Sequence, residues 1–140
     1  MHLLDSNICI YILKNKFLQI QSRIETVGIE NVSVSSITVA ELEYGAAKSN
    51  NPDQARSRLY ELLVPFEILN FDTKAAECYG RIRADLERKG TPIGPLDFMI
   101  AAIALAHNAT VVTNNENEFI RVRSRAVPTT QSRVLCPGLI

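Results

Sequence analysis

The chain has 140 residues, 46% of them hydrophobic, which suits one domain with a single continuous core. Its 15 basic and 15 acidic side chains balance to a formal charge of zero, which speaks against a protein that coats nucleic acid by charge alone. Cys9, Cys78 and Cys136 are odd in number and form no CxxC pair, and only His2 and His107 could add nitrogen ligands, so neither a disulfide framework nor a zinc site is expected.

Residues 2–4 read as a short buried strand. Asp5-Ser6-Asn7 follows and can cap a helix through residue 14, which puts Asp5 at a strand's carboxyl end. This N-terminus lacks the basic segment and long apolar stretch of a secretory signal. The longest apolar run, residues 98–106, is far short of the roughly 20 residues that cross a bilayer. A cytoplasmic protein without a membrane span is the expectation. Phe17, Ile20, Ile24 and Val27 recur at helical spacing before Gly28, whereas Val32 and Val34 alternate with polar residues as in a strand. Ser35 or Ser36 can cap a helix over 37–48, and Asn51-Pro52 opens another that runs to 63.

Residues 66–71 form the third predicted strand. Asp72 can cap a long helix to 89 that stops at Gly90, followed by a loop over 91–94. Pro95 starts a helix that is apolar all round from 98 to 106 and should therefore be buried on most faces or packed in a dimer interface. Residues 110–113 give the fourth strand. Strands separated by helices, with no hairpin signals, predict a parallel sheet covered on both faces, whose sites form at the strands' carboxyl ends.

Asp97 is the most informative residue, because it is the only charge in a helix otherwise built from apolar side chains. Burying an ionised carboxylate is very costly unless it is paired or holds a metal. The plainer account of Asp97 is dipole stabilisation in the first turn. Glu41 shares a helical stripe with Ile37 and Tyr44, its plainer account being an exposed glutamate, and Asp5 could be an ordinary helix cap. Taken together, the three acids can converge at one edge of the sheet, where they would raise one another's pKa unless a cation compensates. Oxygen-only ligands favour Mg²⁺, or Mn²⁺, over zinc, and such an ion activates water and offsets charge on an attacked phosphate.

The stretches "LLDSNICIYILK", "VSSITVAELEYGAAKS" and "GRIRADLERKGTPIGPLDFMIAAIALAHNATVVTNNENEFIRV" stand in an order and spacing that covers most of residues 1–122. In these the chain resembles the PIN-domain ribonucleases, most closely the VapC toxins of bacterial toxin–antitoxin pairs. The resemblance implies a three-layer α/β/α domain with a central parallel sheet of four to five strands, a homodimer, and a Mg²⁺-dependent endoribonuclease acting on RNA. It further implies a VapB-type antitoxin that occludes the active-site groove, and the "IGP" segment resembles members that cut initiator tRNA. Carried over by position, Asp5, Glu41 and Asp97 are the principal catalytic, metal-holding acids, joined by Glu118. Asn7, Thr113 and Asn115 match supporting polar positions, with an amide at Asn115 where many relatives carry aspartate. Residues 123–140 do not match the relatives' last strand and are set apart from the 1–122 domain as an atypical, disordered or altered tail.

Basic candidates for guiding an RNA backbone are Arg81, Arg83, Arg88 and Lys89, although the acids interleaved with them suit a solvated helix face. Cys9 reads as packing and His107 as a helix-end partner of the dipole. Two rival readings remain. One is a receiver-like Mg²⁺-binding signalling domain phosphorylated on Asp72, which lacks the expected acid pair and strand-end lysine. The other is a catalytically inactive interaction module that binds a partner through the 98–106 helix.

Overall fold

A computed structural model of the chain describes residues 1–15, 18–123 and 134–135. Five parallel strands form one sheet in the order β3-β2-β1-β4-β5. They are β1 (His2–Leu4), β2 (Val32–Ser35), β3 (Glu67–Leu69), β4 (Thr110–Val112) and β5 (Val134–Leu135). The helices are α1 (Ser6–Leu13), α2 (Leu18–Val27), α3 (Ser36–Ala47), α4 (Pro52–Leu63), α5 (Thr73–Arg88), α6 (Pro95–Ala106) and α7 (Glu116–Arg123), with a short 3₁₀ turn at Ile29–Asn31.

Alternation along the strands sorts the core into two layers. Leu3 and Val111 point to the face covered by α5, α6 and α7, where they meet Ile82, Leu86, Ile100, Ile103 and Phe119. Leu4, Val32 and Val34 point to the opposite face, against Ile8, Leu42, Leu59 and Leu63 from α1, α3 and α4. β1 is three residues long yet central, because β2 and β4 both pair with it in register at each residue. The expected α/β/α arrangement is therefore present.

Local chemistry fixes the ends of the elements. Asn51 caps α4 through the Gln54 N–H, and Asp72 caps α5 through the Ala75 N–H. At the end of α5, Gly90 takes a positive φ of 68°, which lets the Thr91 N–H return to the Leu86 carbonyl and close the helix. Of the two serines that could cap α3, Ser35 does so, accepting from the Thr38 N–H at 2.9 Å. α6 is buried within the chain itself along Phe98, Ile100 to Ala104 and Ala106, its alanines allowing close approach to the sheet, while Leu96 is exposed.

Besides shifts of one residue at element ends, the structure departs from expectation in several places. The third strand is Glu67–Leu69 rather than 66–71, because the Phe66 N–H turns back to the Leu63 carbonyl and the Asp72 N–H to the Asn70 carbonyl. α7 and the 3₁₀ turn are additional elements. Within the segment set apart as an atypical tail, Val134–Leu135 pairs with β4 as the edge strand, while 124–133 and 136–140 lie outside the described residues.

Candidate active site

The sheet's carboxyl edge carries the acids. Asp5 directly follows β1 and serves as the N-cap of α1: its Oδ1 accepts the Asn7 N–H at 2.7 Å, and its main-chain N–H is tied to the Val112 carbonyl of β4 at 3.1 Å. Its Oδ2 accepts the hydroxyl of Thr113, the residue after β4, and both residues are buried. Burial pushes the Asp5 carboxyl up, and the donors from Thr113 and Asn7 pull it back part of the way.

Glu41 lies on α3, half-buried, and its Oε2 accepts the hydroxyl of Ser6, the first residue of α1. This bond joins the helix after β1 to the helix after β2. Ser6 escaped the sequence reading because its partner is 35 positions away and because a serine after a capping aspartate reads as ordinary helix-start chemistry.

Asp97 sits in the first turn of α6, half-buried. Its carboxyl is pushed up to about 6, first by burial and then by the charges of Asp5, Glu118 and Glu41. All of these influences act in the same direction, with no hydrogen-bond donor among them. Glu118, on α7, accepts the Gly94 N–H at 3.1 Å through Oε2 and so touches the loop that leads into α6.

Asp97 thus feels the charge of the three other expected acids, which come from the end of β1, from α3 and from α7. Among the described residues, no three His, Cys, Asp or Glu side chains already form a group that could hold an ion together. The donors on offer are carboxylate oxygens. The neighbouring Cys9 thiol is buried and pushed up to about 12, by burial first and then by Asp5, which keeps it protonated and inert as a ligand or nucleophile. An all-oxygen set of this kind fits a hard divalent ion that keeps much of its own water and takes only one or two carboxylates directly.

The supporting positions divide. Thr113 acts through its side chain, on Asp5. The observed contacts of Asn7 and Asn115 are main-chain ones: the Asn7 N–H reaches Asp5, and the Asn115 N–H reaches Thr113 Oγ1 at 2.8 Å while its carbonyl accepts the Glu118 N–H. Asn114 adds a contact unforeseen in the sequence, donating through Nδ2 to the Tyr11 hydroxyl at 3.1 Å.

Asp72 is an exposed cap of α5 and is not among the charges acting on Asp97. The basic candidates on α5 largely face their own acids. Arg83 pairs with Glu87, Arg88 and Lys89 pair with Asp85, and Arg81 donates to the Cys78 sulfur. None of the described helices is long and apolar enough to cross a membrane.

Comparison with known proteins identifies the family. The PIN domain profile matches residues 2–124. The chain is 41% identical over 122 residues to the ribonuclease VapC2 of Rickettsia felis, covering 86% of this chain and 91% of the relative. It is 44% identical over 120 residues to the tRNA(fMet)-specific endonuclease VapC of Salmonella typhimurium, covering 86% and 90%. Among solved structures, a DNA-bound VapBC from Salmonella typhimurium superposes with a TM-score of 0.86 at 40% identity, covering 97% of each chain. A promoter-bound VapBC2 from Rickettsia felis gives 0.85 at 36% identity, covering 96% and 97%. The chain belongs to the PIN-domain family, among its VapC ribonucleases.

Proposed function

We propose that this VapC-family ribonuclease is a metal-dependent endoribonuclease toxin whose working site is the cluster of Asp5, Glu41, Asp97 and Glu118. The observation that carries the metal dependence is Asp97, a carboxylate acted on by the charges of three others and, among the described residues, given no hydrogen-bond donor to compensate. Burial and like charge both disfavour the anion of such a group, and a bound cation would offset both.

Asp5 and Asp97 would hold Mg²⁺ or Mn²⁺, with Glu41 and Glu118 ordering water around it. A bound ion of this type lowers the pKa of water and offsets the charge that develops on an attacked phosphate. The chain's own residues supply the placement. Thr113 and the Asn7 N–H fix both oxygens of Asp5, so its remaining lone pairs keep one direction. Ser6 fixes one oxygen of Glu41. The substrate is RNA, with tRNA as the first candidate, since the Salmonella typhimurium relative is named for tRNA(fMet). In-line hydrolysis would leave a 5′-phosphate and a 3′-hydroxyl. A VapB-type antitoxin partner is supported by the VapBC complexes that the chain superposes on, and a homodimer belongs to the same reading.

The test compares wild type with Asp97→Asn on total tRNA, in Mg²⁺ and in chelator. Cleavage by wild type in Mg²⁺ alone is expected. Cleavage that survives both the substitution and the chelator would overturn the reading.

A further inference from the structure

α7 holds the loop before α6 from one side. Glu118 accepts the Gly94 N–H at 3.1 Å, and Arg121 Nη1 donates to the Pro92 carbonyl at 3.0 Å. Residues three apart share a helical face, so both bonds come from the same flank of α7. Between the two anchor points, Ile93 is buried in the core that also contains Phe119 and Val122 of α7. The loop is therefore gripped at three successive residues, by a carbonyl, a side chain and an amide.

Gly94 passes that grip on to Asp97. It is the N-cap of α6, and Asp97 is the third residue of the helix. In a capping box the acid at that position reaches back to the N-cap N–H. Here Glu118 takes that N–H, and Asp97 is left to lie over the glycine, its Oδ2 3.1 Å from where a Cβ on Gly94 would stand.

We propose that Arg121 is a positioning residue for Asp97, acting through Pro92 and Gly94, so that α7 sets where this carboxylate stands in the acid cluster. The inference rests on the metal-dependent nuclease reading above. It gives an exposed arginine near the site a role in tying backbone, where charge alone would suggest a contact with RNA phosphate.

The test uses the full chain as wild type, Arg121→Ala, Arg121→Lys and Gly94→Ala. Two readouts are needed, calorimetric Mn²⁺ binding without RNA, and steady-state cleavage of tRNA. Arg121→Ala should weaken Mn²⁺ binding about tenfold and lower kcat comparably, as loss of an outer partner of a ligand does, with KM for RNA little changed. Arg121→Lys keeps a donor for the carbonyl and should recover most of both. Gly94→Ala leaves the charge unaltered and should reproduce the loss of Mn²⁺ affinity by displacing Asp97. Raised KM with unchanged Mn²⁺ affinity in Arg121→Ala would make Arg121 an RNA contact and overturn the proposal, as would wild-type behaviour of either alanine variant. Wild type that binds no Mn²⁺ would overturn the metal-dependent reading and the clamp with it, whereas normal wild-type binding that neither alanine variant alters overturns the clamp alone.

Discussion

Two aspartates mark the starts of two helices in this protein, and their surroundings are opposite. Asp5, at the start of α1, is buried and has a hydrogen-bond donor on each carboxylate oxygen. Asp97, at the start of α6, is half-buried and has the charges of three other acids acting on it. One start is satisfied by the fold, so its carboxylate is part of what holds β1, α1 and β4 together. The other has burial and like charge acting against its anionic form, which a bound cation would offset. The separation between the two aspartates is thus one of support, with hydrogen-bond donors on Asp5 and like charges around Asp97.

Replacing each aspartate by asparagine tests that separation most strongly. Both variants should lose roughly two to three orders of magnitude in kcat, because each removes charge from the cluster. Their stabilities in chelator should move in opposite directions, with Asp5→Asn lowered and Asp97→Asn raised, as thermal unfolding would show. The pH dependence follows from the raised carboxyl. Asp97 titrates at 3.8 when unperturbed and at about 6 in the fold, so the folded chain binds its proton more tightly. The resulting stabilisation is complete below 3.8 and is lost as pH rises through about 6. The advantage of Asp97→Asn over wild type should accordingly grow between those values and level off above them, and an advantage independent of pH would break the comparison.

Metal addition comes next in size. At a free Mg²⁺ concentration one hundred times its Kd, wild type should gain about 2.7 kcal/mol of stability, and Asp97→Asn should gain far less. Thermal shift against Mg²⁺ concentration reads both. Thr113→Val sharpens the other half of the contrast, since removing a donor from a buried carboxylate should cost about 1–3 kcal/mol in urea unfolding with or without metal. The smallest effect belongs to Ser6→Ala. With Glu41 freed from its hydroxyl partner, cleavage should slow by about five- to tenfold, while stability changes by less than about 1 kcal/mol.

Much of the fold was legible because its signals are local. The caps at Asp5, Asn51 and Asp72, the stop at Gly90 and the apolar run of α6 each depend on residues within a few positions of one another. α7 escaped because Glu116, Asn117 and Glu118 look like loop, and only Phe119 and Val122, three apart and buried, betray a helix. Asp5, Glu41 and Asp97 could be nominated from chemical type and place in the predicted elements, and Glu118 from the resemblance alone, but their contacts could not. The Ser6–Glu41 bond spans 35 positions and the Gly94–Glu118 bond 24, distances over which a single sequence carries no pairing signal. Asn7 and Asn115 illustrate a different limit, since contacts made by main-chain amides leave no trace in the side chains that happen to stand there.

The bond between Thr113 and Asp5 crosses 108 positions of the chain. During synthesis, Asp5, Ser6 and Glu41 leave the ribosome long before the strand that brings Thr113 to them. The parallel pairing of β4 with β1 closes this loop, and non-local closure of that kind is slow to form. Asp5 therefore gains its second donor only once β4 has paired with β1, after most of the domain has been made.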